Sequence, residues 1–204
     1  MHDQVLATNA RKREIGSRFS FGFACFRGVF VAGALVGPVA AQQPAHTITV
    51  ESPALKANQP IPKDYTADGR NMSPPLTWSN LPAGTKELAV ICEDPDAGNP
   101  PPFVHWVIYK IPATASGLPE NIPFEPDAPM PPAIAGAIQG VSGFRRPIYR
   151  GPAPPPGKTH HYHFVVYALD AALDPRPGLT RSDLLAAIQG HVIGHGELIA
   201  TYER

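Results

Sequence analysis

The sequence predicts a mainly β fold, α+β at most, and three observations support this class. The chain has 26 prolines, many of them clustered between residues 74 and 156. A proline inside a helix removes a hydrogen bond and clashes with the preceding turn, so long helices cannot cross this region. Several short segments mix apolar, β-branched and aromatic residues, which strands favour. A single segment carries signals for both ends of a helix.

Six strands are expected, each a short apolar or alternating run bounded by turn-forming residues. They lie near residues 47–51, 76–78, 87–92, 104–111, 161–169 and 196–202. The third run is almost continuously apolar, which is typical of a buried strand. Short strands joined by stiff loops predict a mainly antiparallel β domain with one or two small helices.

The one clear helix signal lies near the C-terminus. Thr180 is a suitable N-cap for a helix over residues 181–189, and Asp183 stands at the third helical position. Gly190 follows the predicted end, where glycine commonly terminates a helix. Apolar residues recur along one face of this segment, including Leu184. The pattern predicts a short amphipathic helix packed on the sheet.

The first 41 residues are typical of a secretory leader. Five basic residues lie between positions 11 and 27, and a stretch of small apolar residues runs from 29 to 41. This stretch ends in a small-residue cleavage pattern. Its core of roughly a dozen residues is shorter than an ordinary membrane-spanning helix. We expect a signal peptide at 1–41, one domain at 42–204, and a periplasmic or secreted protein; the alternative is an uncleaved membrane anchor.

The domain at 42–204 has a small negative net charge. The leader contains five of the chain's 17 basic residues and two of its 17 acidic residues, which leaves 12 and 15 and a net charge of −3. Because no basic surface is implied, nucleic acid is not expected as a partner. The domain's single cysteine, Cys92, cannot form an internal disulfide and is expected to be a buried apolar residue.

Polar side chains are placed where predicted strands meet loops. Asp94 and Asp96 follow the third strand directly, and His105 lies near the start of the fourth. His160 and Tyr162 share one face of the fifth strand because side chains alternate along a strand. Together these residues predict a small polar pocket walled by prolines and aromatic rings. Histidine and tyrosine can donate to the oxygens of a small anion such as phosphate.

The chemistry of the pocket allows alternatives. Asp94 could hold His105 in its charged, donating form, or could itself be protonated beside an anion. A hydrolase could instead use Asp94 and His105 as an acid/base pair. His161 and His163 share a face and suggest a metal, but such a site needs further ligands. No catalytic residue, metal ligand or cofactor is therefore assigned.

Three ordered blocks of the sequence resemble the phosphatidylethanolamine-binding protein family, in its bacterial Raf-kinase-inhibitor-like branch. The first block runs from Ile61 to Trp78 and includes Asp68, Asn71 and Ser73-Pro74-Pro75. The second combines Asp94-Pro95-Asp96-Ala97 with Val104-His105-Trp106. The third combines Gly151-Pro152 and Pro154-Pro155-Pro156-Gly157 with His160, Tyr162 and Tyr167-Ala168-Leu169. The resemblance spans about 48–204.

The resemblance implies a large central sheet packed by a smaller sheet, short helices near the C-terminus, and a pocket for phosphate-like anions and phosphoethanolamine headgroups. The residues that match the family's pocket are Asp94, Asp96, His105, Pro154, Pro155, His160 and Tyr162. One departure is His161, where many members have arginine, which puts in doubt a charge pair behind the pocket. No pocket residue is assigned from 139–150, where the resemblance is weak.

The sequence thus predicts an exported protein that binds a small phosphorylated or phospholipid-headgroup ligand and acts by sequestering it or by inhibiting a partner protein. The alternative is a hydrolase that uses Asp94 and His105. A protein partner or a homodimer stays open, and no cofactor is expected.

Overall fold

A computed structural model of the chain describes residues 46–204, apart from 99, 124, 126, 127, 175 and 176. The predicted leader and the first residues of the predicted domain lie outside this range. No helix in the described part of the chain combines the length and apolarity needed to cross a membrane.

Nine strands form two sheets among the described residues. In chain order they are β1 (His46–Thr47), β2 (Thr49–Glu51), β3 (Leu76–Ser79), β4 (Glu87–Asp94), β5 (Phe103–Pro112), β6 (Gly117–Leu118), β7 (Ile138–Gln139), β8 (His160–Leu169) and β9 (Val192–Tyr202). The large sheet has the order β1-β9-β8-β4-β5-β7, and the small sheet has the order β2-β3-β6. Within the two sheets, β1 and β9 are parallel and the other neighbours are antiparallel. The mainly β class and the pairing of a large with a smaller sheet are confirmed.

The first predicted strand divides between the two sheets. β1 pairs with β9 of the large sheet, whereas β2 pairs with β3 of the small sheet. Ile48 lies between them, buried, and its N–H donates to the carbonyl of His195 at 2.9 Å. The prediction of a single strand at 47–51 was therefore wrong, because this segment contributes to both sheets. The two-residue strands β6 and β7 were not predicted, because such short pairings leave no periodic pattern.

The large sheet is buried on both faces. Leu88, Val90 and Cys92 of β4 belong to a core cluster shared with the small sheet. Ala89 and Ile91 of the same strand point to a second cluster. A central strand covered on both sides explains the nearly continuous apolar run seen in the sequence. Cys92 is buried, as expected.

One α-helix, α1 (Arg181–Ala187), covers the second face of the large sheet. Thr180 and Asp183 form a capping box, in which the backbone N–H of each residue donates a hydrogen bond to the side chain of the other. Leu184 of α1 is buried in the second cluster. The N-terminal cap is confirmed, whereas the helix ends two residues before the predicted end. Two short 3₁₀ helices, Lys63–Tyr65 and Pro132–Ile134, lie outside the C-terminal region.

Candidate functional site

A cavity of about 470 Å³ opens at one end of the large sheet. Its walls come from the loop after β4, the starts of β5 and β8, and the segment before β8. The lining residues are Asp94, Asp96, Ala97, Gly98, Phe103, His105, Phe144, Arg150, Gly151, Ala153, Pro154, Pro155, His160 and Tyr162. The structure therefore brings all seven residues of the predicted pocket to a single cavity.

The order of the strands explains why these side chains meet. β4 lies between β5 and β8 and ends at Asp94. His160 and Tyr162 occupy positions one and three of β8, both buried, while His161 between them is exposed. The alternation predicted from the sequence is confirmed for this strand. Because β5 also starts at this end, all three strands deliver polar side chains to the same edge of the sheet.

His105 reaches the cavity through a β-bulge. Cys92 of β4 pairs with Trp106, whereas the next residue, Glu93, pairs with Val104, so His105 is the extra residue in β5. Trp106 packs in the core cluster shared with the small sheet, and Val104 packs against the second cluster. Two successive side chains, His105 and Trp106, therefore lie on the same side of the sheet. A bulge commonly re-aims a side chain in this way next to a functional site.

Asp94 and His160 form a buried pair. The Nδ1 of His160 lies 2.7 Å from the Oδ2 of Asp94, and the two side chains are only 6% and 3% exposed. The other carboxylate oxygen, Oδ1, accepts from the backbone N–H of Asp96 at 2.8 Å. Both oxygens of Asp94 are thus bonded to protein donors. Because a carboxylate only accepts, the bond requires a proton on Nδ1 of His160.

His105 is held by a backbone carbonyl instead of by Asp94. Its Nδ1 donates to the carbonyl of Arg150 at 2.6 Å, and the N–H of Arg150 donates to the carbonyl of His105 at 3.1 Å. Burial lowers the pKa of His105 below its ordinary 6.5, despite the opposing effects of the Arg150 carbonyl and the Asp94 charge. The interpretation of Asp94 as the group that orients and charges His105 was therefore wrong: the partner of Asp94 is His160.

The second ring nitrogens of the two histidines are accessible. Among the described residues, neither Nε2 of His105 nor Nε2 of His160 has a hydrogen-bond partner. In the same part of the chain no buried side-chain nitrogen or oxygen lacks a partner. Both Nε2 atoms are therefore reached by solvent, and both residues line the cavity. Each Nε2 accepts a hydrogen bond when its ring is neutral and donates one when the ring is charged.

Aromatic rings pack around the imidazoles. The His105 ring makes edge contacts with Phe103, Phe144 and Tyr162, with centroids 5.3, 5.7 and 5.2 Å apart. The ring of Tyr162 also stacks on that of His160 at 6.5 Å. Burial, and then the charge of Asp94 and a hydrogen bond to it, raise the pKa of Tyr162 well above its usual value. The tyrosine therefore keeps its proton as a donor.

Asp96 lies at the rim and is engaged with β8. Its Oδ2 accepts from both the backbone N–H and the Nδ1 of His161, at 3.0 and 2.8 Å. Lys158 lies 3.6 Å from its Oδ1. The hydrogen bond from His161, more than any other contact, lowers the pKa of Asp96. His161 therefore holds the Asp96 carboxylate by two hydrogen bonds, one from its backbone and one from its ring.

The first sequence block, Ile61 to Trp78, holds the proline-rich segment that begins at Gly151 in place. Gly151 donates its N–H to Oδ1 of Asn71 at 2.8 Å, and the hydroxyl of Tyr149 donates to the carbonyl of Tyr65 at 2.7 Å. A Cβ at Gly151 would lie 2.2 Å from that same carbonyl, so only glycine fits there. The block from Ile61 to Trp78 thus supports the wall of the cavity, and Pro154 and Pro155 form part of that wall.

Seven of the fourteen lining residues were not predicted, and three of these seven have aromatic or charged side chains: Phe103, Phe144 and Arg150. Phe144 and Arg150 come from 139–150, the segment to which no pocket residue was assigned. The guanidinium of Arg150 lies 4.7 Å above the centroid of the Phe144 ring. The sequence signal that could have found them is the Tyr149-Arg150-Gly151 run, which joins directly onto the proline block.

Metal ligands are not clustered in the described part of the chain. No group of three or more His, Cys, Asp or Glu residues there is placed to hold a metal ion. His163, considered with His161 for such a site, instead bonds Oε2 of Glu197 through its Nδ1 at 2.9 Å.

These features define a two-sheet β protein with a polar, aromatic-walled cavity of ligand size at the strand ends. The sequence pattern of the phosphatidylethanolamine-binding protein family matches residues 51–203. The chain belongs to this family. Among curated relatives, it is 47% identical over 144 residues to a UPF0098 protein of Methanothermobacter thermautotrophicus, covering 71% of this chain and 91% of the relative. A UPF0098 protein of Chlamydia pneumoniae is 37% identical over 157 residues, covering 75% and 97%.

Solved structures agree with this assignment. The crystal structure of YbcL from E. coli, described as a new member of the mammalian PEBP family, superposes with a TM-score of 0.70 at 32% identity and covers 77% of this chain and 98% of YbcL. The structure of CT736 from Chlamydia trachomatis superposes with a TM-score of 0.67 at 34% identity, covering 78% and 99%.

Proposed function

We propose that this chain is an exported binding protein for small phosphate-type anions, including phospholipid headgroups of the phosphoethanolamine kind. The observation that carries the proposal is the pair of imidazoles, His105 and His160, whose Nε2 atoms are open at one cavity. Each ring is fixed through its Nδ1, so each Nε2 is presented in a defined position. When charged, both rings donate to an oxyanion, and such charge-assisted hydrogen bonds are the strong ones.

The buried carboxylate of Asp94 is compatible with an anion nearby. Both of its oxygens accept from protein donors, and its partner is His160. When His160 is charged, the pair is neutral overall, and the ligand meets the donating side of the imidazole. The role proposed for Asp94 is to orient and neutralise His160. Asp94 is thus a positioning residue for the donor.

The size and walls of the cavity favour a headgroup. A volume of about 470 Å³ is within the usual range for small-molecule sites. The aromatic ring of Phe103 lines it, and the face of such a ring attracts an ammonium group. The name of the family points in the same direction. A phosphate group and a short amine therefore both find suitable surroundings.

Calorimetry on the purified protein tests this proposal, with inorganic phosphate and O-phosphoethanolamine as ligands at millimolar concentration. We expect both to bind, and substitution His160→Ala to weaken both. His191→Ala is a matched control, because His191 also pairs with an aspartate but lies on the surface. Tighter binding of O-phosphoethanolamine, and of vesicles containing phosphatidylethanolamine, would indicate a lipid source. Absence of heat with either ligand would overturn the proposal.

Export is proposed from the leader pattern in residues 1–41. Basic residues followed by a short apolar stretch and small residues are typical of a signal peptide. Expression of the full chain in a bacterium, followed by fractionation and mass measurement, tests this. We expect a product that begins at Gln42 in the periplasm or medium. An intact N-terminus on a membrane-bound product would favour the anchor instead.

A hydrolase is the second candidate, and the Asp94–His160 pair favours it more than the Asp94–His105 pair first considered. A histidine oriented by a buried carboxylate, with its other nitrogen open, has the arrangement of a general base. The described residues that line the cavity include no Ser, Thr or Cys, so water would be the nucleophile. Turnover of a phosphoester that Asp94→Asn abolishes would support this candidate. No turnover across a broad ester panel would dismiss it.

A further inference from the structure

Arg150 is a cation at the cavity that forms no ion pair among the described residues. It lines the cavity and is exposed. Of the described lining residues, it alone is positively charged at every physiological pH, because arginine does not lose its proton in proteins. Within the part of the cavity formed by described residues, Arg150 is therefore a permanent positive charge without an ion-pair partner.

The guanidinium has a fixed platform. It lies 4.7 Å above the centroid of Phe144, a geometry that stabilises an arginine by cation–π attraction. Phe144 is itself held by edge contacts to Phe103 and His105, with centroids 4.9 and 5.7 Å apart. Because the Phe144 ring belongs to the cavity wall, the contact with this ring positions the positive charge of Arg150 at the cavity.

The backbone of Arg150 is fixed independently of its side chain. Arg150 and His105 exchange two hydrogen bonds, from His105 Nδ1 at 2.6 Å and to the His105 carbonyl at 3.1 Å. Substitution of the side chain leaves both bonds in place, since only main-chain atoms of Arg150 take part. The charge at position 150 can therefore be changed without altering how His105 is held.

The charge balance of the site gives this cation a role. Asp94 is paired with His160, and Asp96 is paired with His161 and Lys158. Both acids lining the cavity thus have counter-charges or donors of their own. Among the described lining residues, Arg150 is thus the permanent cation without an acidic partner, and it is placed to attract an anion. Its planar fork matches two oxygens of a phosphate group.

We propose that Arg150 is an anion-binding residue of the cavity, contacting two oxygens of a tetrahedral phosphate group while Phe144 holds the guanidinium in place. This inference rests on the proposed binding of phosphate-type anions. It adds that the affinity for the anion depends on a residue outside the Asp/His/Tyr set. The phosphate can come from the free ion or from a headgroup ester, because both present the same oxygens.

Calorimetry with inorganic phosphate and O-phosphoethanolamine tests the inference on the full chain. We expect Arg150→Gln to weaken the binding of both ligands about tenfold, because one strong charge-assisted contact is lost. The affinity of Arg150→Lys should lie between those of the wild type and Arg150→Gln, because lysine keeps the charge but lacks the planar guanidinium that bonds two oxygens. Phe144→Leu should weaken binding by removing the platform. Arg146→Gln is the matched control, since Arg146 is also exposed and does not line the cavity.

Salt dependence separates a direct contact from a structural effect. Raising ionic strength should weaken wild-type binding, and this slope should flatten in Arg150→Gln but persist in Arg150→Lys. If the wild type binds the anion and Arg150→Gln binds it equally tightly, the inference is overturned and the proposed function stands. Equal losses in Arg150→Gln and Arg146→Gln would also overturn it. Absence of wild-type binding would overturn both.

Discussion

The Nδ1 of His160 lies 2.7 Å from the Oδ2 of Asp94, although 66 positions separate these residues in the chain. Asp94 is the last residue of β4 and His160 the first of β8, so the pair links two neighbouring strands at the edge of the cavity. Both side chains are almost fully buried. This contact fixes the position of one proposed ligand donor, and it makes the site sensitive to the loss of a single carboxylate.

Asp94→Ala should destabilise the fold by about 3 kcal/mol, because it leaves the buried donor of His160 without its partner. The matched control is Asp170→Ala. Asp170 bonds Nδ1 of His191 at 2.9 Å, but both side chains are nearly half exposed. A surface pair of this kind is worth at most about 1 kcal/mol. Urea unfolding of both variants measures the difference, and equal losses would contradict the importance given to the buried pair.

His105 should make stability fall in mild acid. Its folded pKa is lower than 6.5, the ordinary value that applies in the unfolded chain. Between the two values the unfolded chain binds more protons, so stability is full above pH 6.5 and is lost as the pH falls through the folded pKa. His105→Asn keeps a donor for the Arg150 carbonyl without titrating. Its stability should change less over this range, whereas exposed His46→Asn should behave as wild type.

The same titration should govern anion binding. Because Nδ1 of His105 donates to Arg150, its Nε2 donates to a ligand only when the ring is charged. Bound anion favours the charged ring, so affinity should rise as the pH falls from neutrality. Sulfate is the suitable probe, since it does not itself titrate in this range. Calorimetry should show tighter sulfate binding in acid for the wild type and a weaker trend for His105→Asn; equal trends would contradict this role.

Asp96 should contribute to stability at neutral pH and lose that contribution in stronger acid. Its pKa is lowered from 3.8, chiefly by the hydrogen bond from His161. The contribution is therefore present above pH 3.8 and disappears as the pH falls through the lowered folded value. Asp96→Asn should reduce the loss of stability below pH 3.8. Asp64→Asn is the control, because Asp64 forms no ion pair in the described part of the chain.

The N-cap of α1 should be measurable by itself. Thr180→Ala removes a side chain that caps the N–H of Asp183 and should cost about 1 kcal/mol. Thr180→Ser keeps the hydroxyl and should lose far less. Thermal unfolding of the two variants distinguishes the cap from general effects of substitution at this position. A similar loss in both would show that the hydroxyl does not stabilise the helix.

Much of the fold follows from local patterns in the sequence. The apolar run of β4 and the alternation of His160, His161 and Tyr162 in β8 depend on neighbours along the chain, so they are visible without a structure. The cap at Thr180 is equally local. β1 and β2 are different, because the change of sheet at Ile48 depends on contacts with β9 far away in the sequence.

The site shows the same division. Its members were predictable by residue type and spacing, but their pairing was not. Asp94 was expected to serve His105, the nearer histidine in sequence, whereas it bonds His160. The bulge that re-aims His105 arises from the register between β4 and β5, which no pattern in β5 alone reveals. Arg150 lacks a motif of its own and becomes visible only when its guanidinium is seen above Phe144.

Nuclear magnetic resonance titration of the histidine side chains with inorganic phosphate tests the central claim most directly, because it reports each imidazole separately. We predict that the ring signals of His105 and His160 shift saturably, while those of exposed His191 and His195 do not. Arg150→Gln should move the same signals only at higher phosphate concentration. Saturable shifts at His191 or His195 with His105 and His160 unchanged, or no saturable shift at any histidine, would contradict phosphate binding in this cavity.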